Sequence, residues 1–454
     1  WTLKECVDYA LENNISIKSS ELDLQNATVN KKDAIGAFMP NINASTSHSW
    51  NIGLNQNITT GLLQNQTTQF TSAGLNVGVD IYNGLRNQLQ LRKSNLSIIA
   101  TQYQLTKMKD DMSLNVANAF LQILFNKENL KVQKQQKEFN LTQLSRTEDL
   151  VEAGVVPKGD LLDIKATAAS DYQRVIAAEN ALLISKLSLA QLLRLDDFKN
   201  FDIDESQIPG LSESILLETS ESIAQKAKET RVELKIAQSS VELAEKDISI
   251  AKAAYQPTLS GFYSFNTRAA YSDRIVGFQP NAANPTSVIG FVDGTNQQVL
   301  QPNFSPILGG PQNLMDQFSN NKGQNFGVQL SVPIFNGFAV RNNVERTKIA
   351  LDRAKINLEQ QELDVERNVY TAYTDAYAAK ESFEAAKTTL EARFLSHNYA
   401  KERYEVGLMN VFDFNQAQTL LVNAQSEVLR TKYDYLFRIK ILEFYFGIPL
   451  IEKK

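Results

Sequence analysis

Val79-Asp80-Ile81-Tyr82-Asn83-Gly84 and Val332-Pro333-Ile334-Phe335-Asn336-Gly337 are one pattern written twice, 253 residues apart (332 − 79 = 253). Each ends on glycine, and each is followed by 69 residues, 85–153 and 338–406, that hold neither glycine nor proline. Beyond those stretches, Gly154 and Asp160 match Gly407 and Asp413 at the same offset. Upstream, Ala37-Phe38-Met39-Pro40-Asn41-Ile42 matches Ala254-Tyr255-Gln256-Pro257-Thr258-Leu259 at an offset of 217 (254 − 37 = 217). The chain is therefore a duplication, and the second copy carries an insertion of 36 residues (253 − 217 = 36).

Gly and Pro are the strongest helix breakers, so two 69-residue stretches without them predict two very long helices. At 1.5 Å per residue each would span roughly 100 Å, which is coiled-coil length. Leu351, Leu358 and Val365 step by seven, as do Val369, Ala376, Phe383 and Leu390. The four-residue skip between the sets is a stutter. Val116, Ile123 and Leu130 repeat the heptad in the first copy. Shorter helices are expected over 2–36, 160–195, 219–255 and 411–446, with 196–218 as a linker around Pro209 and Gly210 and 448–454 as a tail. Two short helices end to end match the length of one long one.

Four segments switch to period two. In 72–81, Ala73, Leu75, Val77, Val79 and Ile81 alternate with small polar residues; in 326–334, Phe326, Val328, Leu330, Val332 and Ile334 do the same. Residues 41–50 alternate more weakly, and 258–266 place Leu259, Gly261, Tyr263 and Phe265 on one side. Each is about as long as a tilted membrane-crossing strand. An apolar face backed by a small polar one is the lipid-out, water-in pattern of a membrane barrel, although a soluble sheet with one buried face gives the same alternation. Trp50, Phe70, Tyr82, Tyr255, Phe326 and Phe335 are expected near strand ends as interfacial aromatics. Four strands cannot close a barrel, and open edges do not survive in lipid. A membrane reading therefore demands an oligomer. The hairpin loops are expected at 52–68 and, carrying the insertion, at 267–323.

Composition removes several alternatives. A net charge of −5, with 46 basic and 51 acidic residues, is not that of a nucleic-acid binder. One cysteine, Cys6, and two histidines, His48 and His397, are too few for a His/Cys metal site, so neither metal nor other cofactor is expected. No phosphate-binding loop or dinucleotide fingerprint is present, and an enzyme is not expected. No run of 18 apolar residues suggests a membrane helix. The opening at Trp1 in a helical pattern reads as a trimmed, mature start, with Cys6 inside the helix unsuited to an N-terminal lipid anchor.

Helix, strand, strand, long helix, helix, all repeated, resembles the layout of the TolC-like outer-membrane factors. Trp1-Thr2-Leu3 with Ala10-Leu11-Glu12-Asn13-Asn14 is similar to that family's opening helix. The two Pro junctions and the two Asn-Gly junctions quoted above resemble its passages between helix and strand. Tyr404-Glu405-Val406-Gly407 with Asp413, and Glu152-Ala153-Gly154 with Asp160, resemble its periplasmic tips. The resemblance implies a mainly α protein with a β-barrel contribution, four strands per chain in a homotrimeric 12-stranded barrel, and a helical tunnel across the periplasm of a Gram-negative bacterium. It implies a passive exit duct of a tripartite efflux or type I secretion system, with a periplasmic adaptor and an inner-membrane pump as partners. The adaptor would dock on the turns Gly154, Val155, Val156, Pro157 and Gly407, Leu408, Met409, Asn410. Acidic rings near the tip would include Asp160 and Asp413, with Asp163 and Gln416 at the next level, where Gln416 departs from an all-acidic second ring. The same residues have N-cap and N3 spacing, so helix capping is expected as their main role. The rival reading is a periplasmic adaptor, which would carry flanking soluble β-domains in place of two inserted hairpins.

Overall fold

The computed structural model describes residues 1–57, 61–197, 200–204, 215–216 and 218–448. Two sets of four helices match in length. They are α1 (Leu3–Asn13), α2 (Ile15–Gly36), α3 (Arg86–Glu152) and α4 (Lys158–Leu193), then α5 (Ser220–Thr230), α6 (Val232–Ala253), α8 (Ala339–Glu405) and α9 (Val411–Phe446). The lengths are 11, 22, 67 and 36 residues in both copies.

The expected single helices over 2–36 and 219–255 are each broken once. The first breaks at Asn14, whose ψ of 136° is extended; its Nδ2 donates to the carbonyl of Leu192 at 2.9 Å and its Oδ1 accepts from the Ser16 amide. The second breaks at Arg231, with a ψ of 131°. Its buried guanidinium donates to Glu233 at 2.9 Å and lies 3.9 Å over the Phe444 ring. The breaks are again 217 residues apart, and so are the capping threonines Thr2 and Thr219, whose hydroxyls accept from Glu5 and Ser222.

The chain divides into two compact units. The larger, residues 1–31, 92–248 and 345–454, is helical and holds two cores. One gathers Val7, Ile17, Val116, Phe120, Leu124, Leu189 and Leu193, with Phe201 and Ile203 from the expected linker tucked into it. Asp202, between those two, accepts ion pairs from Lys127 at 2.9 Å and Lys186 at 3.2 Å; these hydrogen bonds hold its carboxyl below the usual range although burial opposes them. The other core packs Ile223, Ala227, Val369, Ala376, Tyr435, Ile439 and Leu442. Pro209, Gly210 and the tail from 449 lie outside the described residues.

Apolar heptads also point outward. Ile15, Leu22 and Val29 on α2 are exposed at steps of seven, and so are Ile349, Ile356 and Leu363 on α8, continued by Tyr370 and Tyr377. Leu162, Ile176 and Leu183 are likewise exposed on α4, at spacings of fourteen and seven with Ala169 at the skipped step. By length and composition α4 is the one helix among the described residues apolar enough to cross a membrane. Its buried face, however, holds Asp171 in a hydrogen bond from Asn140, which marks it as a bundle helix.

The smaller unit, residues 32–91 and 249–344, contains the strands. β1 (Asn41–Gln56), β2 (Leu63–Asn83), β3 (Thr258–Ala270) and β8 (Gly323–Ser331) form an antiparallel sheet in the order β1-β2-β3-β8. β2 and β3 join the two copies. The first hairpin is longer than expected, so most of 52–68 is strand. The long loop 267–323 is not irregular either. It contains β4 (Arg274–Pro280), β5 (Thr286–Phe291), β6 (Gln298–Pro302), β7 (Phe304–Gly309) and the short helix α7 (Leu314–Asn320). β8 ends at Ser331, short of the expected 334, because β3, its partner among the described residues, begins at Thr258, the residue opposite Ser331.

Candidate functional site

Cross-strand register sorts the sheet into two chemically distinct faces. Ile42 lies opposite Val77, Val77 opposite Tyr263, and Tyr263 opposite Phe326. Ala44, Leu75 and Phe265 form the next apolar row. Between them, Asn43, Asn76, Ser264 and Asn325 form a polar row, with the Ser264 hydroxyl donating to Asn76 at 2.8 Å. Both faces are open to solvent over much of the sheet in one chain, and among the described residues the outer edges of β1 and β8 have no partner strand.

On the polar face two rings interrupt the pattern, Phe70 and Phe262. Phe262 is flanked by Gly78 and Gly327, and a Cβ at Gly327 would come within 3.2 Å of its ring. Glycine on both sides lets the ring lie down over the sheet.

Of the six aromatics, Tyr82, Tyr255 and Phe335 lie at or just beyond strand ends as expected, while Trp50, Phe70 and Phe326 lie inside strands. Trp50 is six residues short of the end of β1, edge-on to His48 at 4.2 Å, and His48 in turn meets Tyr271 at 5.5 Å. Phe70 lies inside β2 opposite Ser49, on the polar face, with the Arg268 guanidinium 3.5 Å over its ring. Strict alternation places position 70 on that face with Ser72 and Gly74. Tyr82 is at the strand end, and a bulge at Ile81 turns it onto the apolar side beside Leu259, with its hydroxyl donating to Gln256. Phe326 is internal to β8. Tyr255 precedes β3 and Phe335 follows β8, edge-on to Phe338 at 5.7 Å.

At the far ends of the long helices the two tip turns are built alike. Gly154 and Gly407 have φ of +73° and +77°. The Val155 amide donates to the carbonyl of Leu150 at 2.9 Å, and the Leu408 amide to that of Arg403 at 2.8 Å. These are Schellman closures, which need a left-handed residue and so favour glycine. Val155 and Leu408 are left exposed, while Val156 and Met409 are partly covered.

Capping differs from expectation by three residues. Asn410, not Asp413, is the N-cap of α9. Its Oδ1 accepts from the Asp413 amide at 2.8 Å, and its Nδ2 donates back to the Asp413 carboxylate at 3.0 Å. Asp413 is thus N3, and Gln416 lies exposed further along the helix. In the first copy Pro157 stands at the N-cap without a side-chain bond, and the Asp160 amide donates to its carbonyl at 3.1 Å. Asp160 is partly buried and Asp163 exposed. The sequence spacing fits because one helical turn separates true cap from apparent cap.

Behind the tips lies a cluster that sequence reasoning missed. Phe414 is 2% exposed, stacked on Tyr404 at 4.8 Å and on His397 at 5.6 Å, with Phe139 at 6.1 Å. Next to these rings the four-helix core turns polar. Gln418 donates to Gln136 at 2.6 Å, and Asn140 to Asp171, all four buried. Burial holds the His397 imidazole below the usual histidine value, and Lys401 adds to the effect. The available signal was Gln136 and Asn140, four apart on one helix face where an apolar pair is the ordinary choice.

The family described as "Outer membrane efflux protein" matches residues 6–193 and 223–447. The chain is 23% identical over 269 residues to "Outer membrane protein TolC" of Vibrio cholerae, a match spanning 59% of each protein. Among solved structures it is similar to the outer membrane protein VceC of Vibrio cholerae (14% identity, TM-score 0.74, covering 98% of this chain and 96% of that one). It is also similar to the CmeC outer membrane channel of Campylobacter jejuni (19% identity, TM-score 0.74, covering 98% and 85%). These structures share its fold, a helical tunnel with a barrel. With both copies matched on either side of the linker, the chain belongs to the outer membrane efflux protein family.

Proposed function

We propose that three copies of this chain close into one exit duct, a 12-stranded barrel in the outer membrane continued by helices through the periplasm. The duct is passive: an inner-membrane pump supplies the energy and a periplasmic adaptor links pump to duct. The observation that carries this reading is the unfinished surface of the single chain. It has a sheet with two open edges and an apolar outer face, and helices with apolar heptads exposed to water. Backbone groups at open edges cannot remain unpaired in lipid. Closure by a second and third copy pairs them.

Two exposed heptads support a specific seam. Counted from Pro40, Val29, Leu22 and Ile15 stand 11, 18 and 25 residues away; counted from Phe338, so do Ile349, Ile356 and Leu363. Side by side and antiparallel, α2 of one chain and α8 of the next bring apolar residues to the same three levels. Coiled-coil seams require that match.

In this reading the aligned polar row Asn43, Asn76, Ser264 and Asn325 lines the pore, and Tyr82, Tyr255, Phe326 and Phe335 sit at the apolar side of the barrel. The tip turns 154–157 and 407–410 dock the adaptor. Asp160, Asp163 and Asp413 give the tip its negative charge and Asp413 is the gate residue, because threefold symmetry sets three copies about one axis. The cargo is a solute or polypeptide delivered by the pump.

The test is made on protein extracted from outer membranes. A heat-modifiable trimer that conducts ions in planar bilayers, and that brings down an adaptor from native membranes, supports the duct. A water-soluble monomer overturns it. Leu408→Glu and Val155→Glu should weaken adaptor capture with the trimer intact; unchanged capture by both moves the docking site elsewhere.

A further inference from the structure

The 36-residue arm between β3 and β8 has a surface that the duct reading does not use. β4 pairs with β7 and β5 with β6, and the two ladders join where the Asn281 amide donates to the Asn303 carbonyl at 2.8 Å and the Asn303 amide to that of Pro285 at 2.9 Å. The result is one long hairpin running from Arg274 to Gly309. On its returning leg Leu300, Pro302, Phe304, Pro306 and Leu308 share one side, with Gln301, Asn303 and Ser305 between them on the other. Opposite them in register stand Val288, Phe278 and Ile275. These apolar side chains are exposed, and only Arg274 and Asp293 carry charge along the whole arm. The other face also exposes Val299 and Ile307, but each stands opposite a glycine, so the wider apolar face is that of Leu300, Phe304 and Leu308, an unmet interface.

The root of the arm is fixed. Gln317 on α7 accepts from the Ala270 amide at 2.9 Å and donates to the Ala270 carbonyl at 3.0 Å, and Asn321 donates to the carbonyl of Arg268 at 2.7 Å. The arm therefore springs from the top of β3 and β8, beside the open β8 edge. The other open edge of the sheet is β1. There the β1–β2 hairpin runs on to Gln56 and Leu63, with Ile52, Leu54 and Leu63 exposed on one face, Ile52 to 83%. That segment, 41–56, carries no charged residue. Two uncharged apolar patches thus stand at the same end of the sheet, one at each open edge.

We propose that the arm is an intersubunit clasp: its Leu300/Phe304/Leu308 face docks on the Ile52/Leu54/Leu63 face of the β1–β2 hairpin of the next copy of this chain. The proposal rests on the trimeric reading, because closing the β8 edge of one chain on the β1 edge of the next is what brings the patches together. The clasp lies above the strands that pair in lipid and ties neighbouring chains on the outer side.

The experiment pairs Leu54→Cys with Leu308→Cys, and Leu63→Cys with Phe304→Cys, in the full chain in native outer membranes, followed by mild oxidation. The native Cys6 is buried, its thiol pushed up to about 12 by desolvation, and stays silent. Covalent dimers and trimers from the paired variants, absent from each single variant, are expected. The triple change Leu300→Ser, Phe304→Ser and Leu308→Ser should leave a trimer that dissociates in SDS at a lower temperature. Intact trimers with no cross-link from either pair overturn the clasp and leave the duct standing, whereas a monomer in the membrane sinks both. A Phe304→Trp reporter quenched by brominated lipid assigns the face to the bilayer, and an unchanged dissociation temperature of the triple variant removes its stabilising role; either result refutes the proposal.

Discussion

Ile356→Asp is the sharpest probe of the α2–α8 seam. Ile356 is 65% exposed in the single chain and stands in the middle of the α8 stripe, between Ile349 and Leu363. Fully burying an isoleucine is worth ~1.5–3 kcal/mol, so covering the two-thirds still exposed contributes about 1–2 kcal/mol per seam. Threefold symmetry repeats the seam, giving about 3–6 kcal/mol per trimer, or roughly 10²–10⁴-fold in the assembly constant. Aspartate adds the cost of a carboxylate facing Leu22 without a partner, which makes those figures a floor. Ile356→Ala isolates the transfer contribution alone. Lys355→Asp, about 100° round the helix on an exposed face, controls for added charge. Native mass spectrometry of detergent-extracted protein, with heated and unheated SDS gels, reads the trimer fraction. Ile356→Asp should appear mainly as monomer and Ile356→Ala as a trimer of reduced heat resistance, with Lys355→Asp near the parent. Full trimer retention by Ile356→Asp refutes the seam as argued.

Asn410→Ala should cost about 1 kcal/mol of cap, seen as roughly fivefold faster amide exchange in the first turn of α9. Asp413→Asn keeps the shape of that turn; a changed single-channel conductance or cation block assigns its charge to the pore, and no change in either leaves it only in the capping pair. His397 binds its proton less readily folded than unfolded, so its contribution is complete above the ordinary value of 6.5 and lost as pH falls through it, by up to ~1.4 kcal/mol per pH unit per chain. Thermal melts at pH 7.5 and 5.5 should converge in His397→Gln, and an unaltered slope would exonerate the histidine. Gly84→Ala should lower the yield of folded protein more than Gly337→Ala: both have positive φ, costing an L-residue about 1–2 kcal/mol, but only at Gly84 would the new Cβ meet a carbonyl, that of Ala253 at 2.5 Å.

What was legible in the sequence was whatever glycine, proline and periodicity punctuate. The 69-residue helices, the tip glycines and the Pro junctions were readable because Gly and Pro are scarce inside helices and each has a backbone reason to be where it is. The breaks at Asn14 and Arg231 were not readable. Neither residue breaks a helix by itself; Asn14 does so by capping Leu192, and Arg231 by lying over Phe444, contacts made with distant parts of the chain. The side on which Tyr82 lies was hidden by one extra residue, Ile81, since a bulge reverses every later assignment of face. The insertion was visible as a length of 36 but not as a ribbon, because its apolar positions are interrupted by Pro302 and Pro306, residues that usually demote a strand. The seam heptads at Ile15 and Ile349 were present in the letters. They became informative only when burial separated the stripes covered within one chain from those left in water.

The pairing of β2 with β3 makes the internal joint of this chain a template for the joint between chains. β2 and β8 are equivalent by the offset of 253, and β3 and β1 by the offset of 217. Ala73 opposite Thr267 therefore translates to Phe326 of one chain opposite Trp50 of the next, and Val77 opposite Tyr263 to Leu330 opposite Thr46. The closed ring is then nearly sixfold in its backbone, built by alternating one kind of half with another. The second half alone carries the arm. Six quasi-equivalent rungs bear only three long outer ribbons, and this is where the ancestral symmetry of the doubled gene is broken down to the symmetry of the trimer.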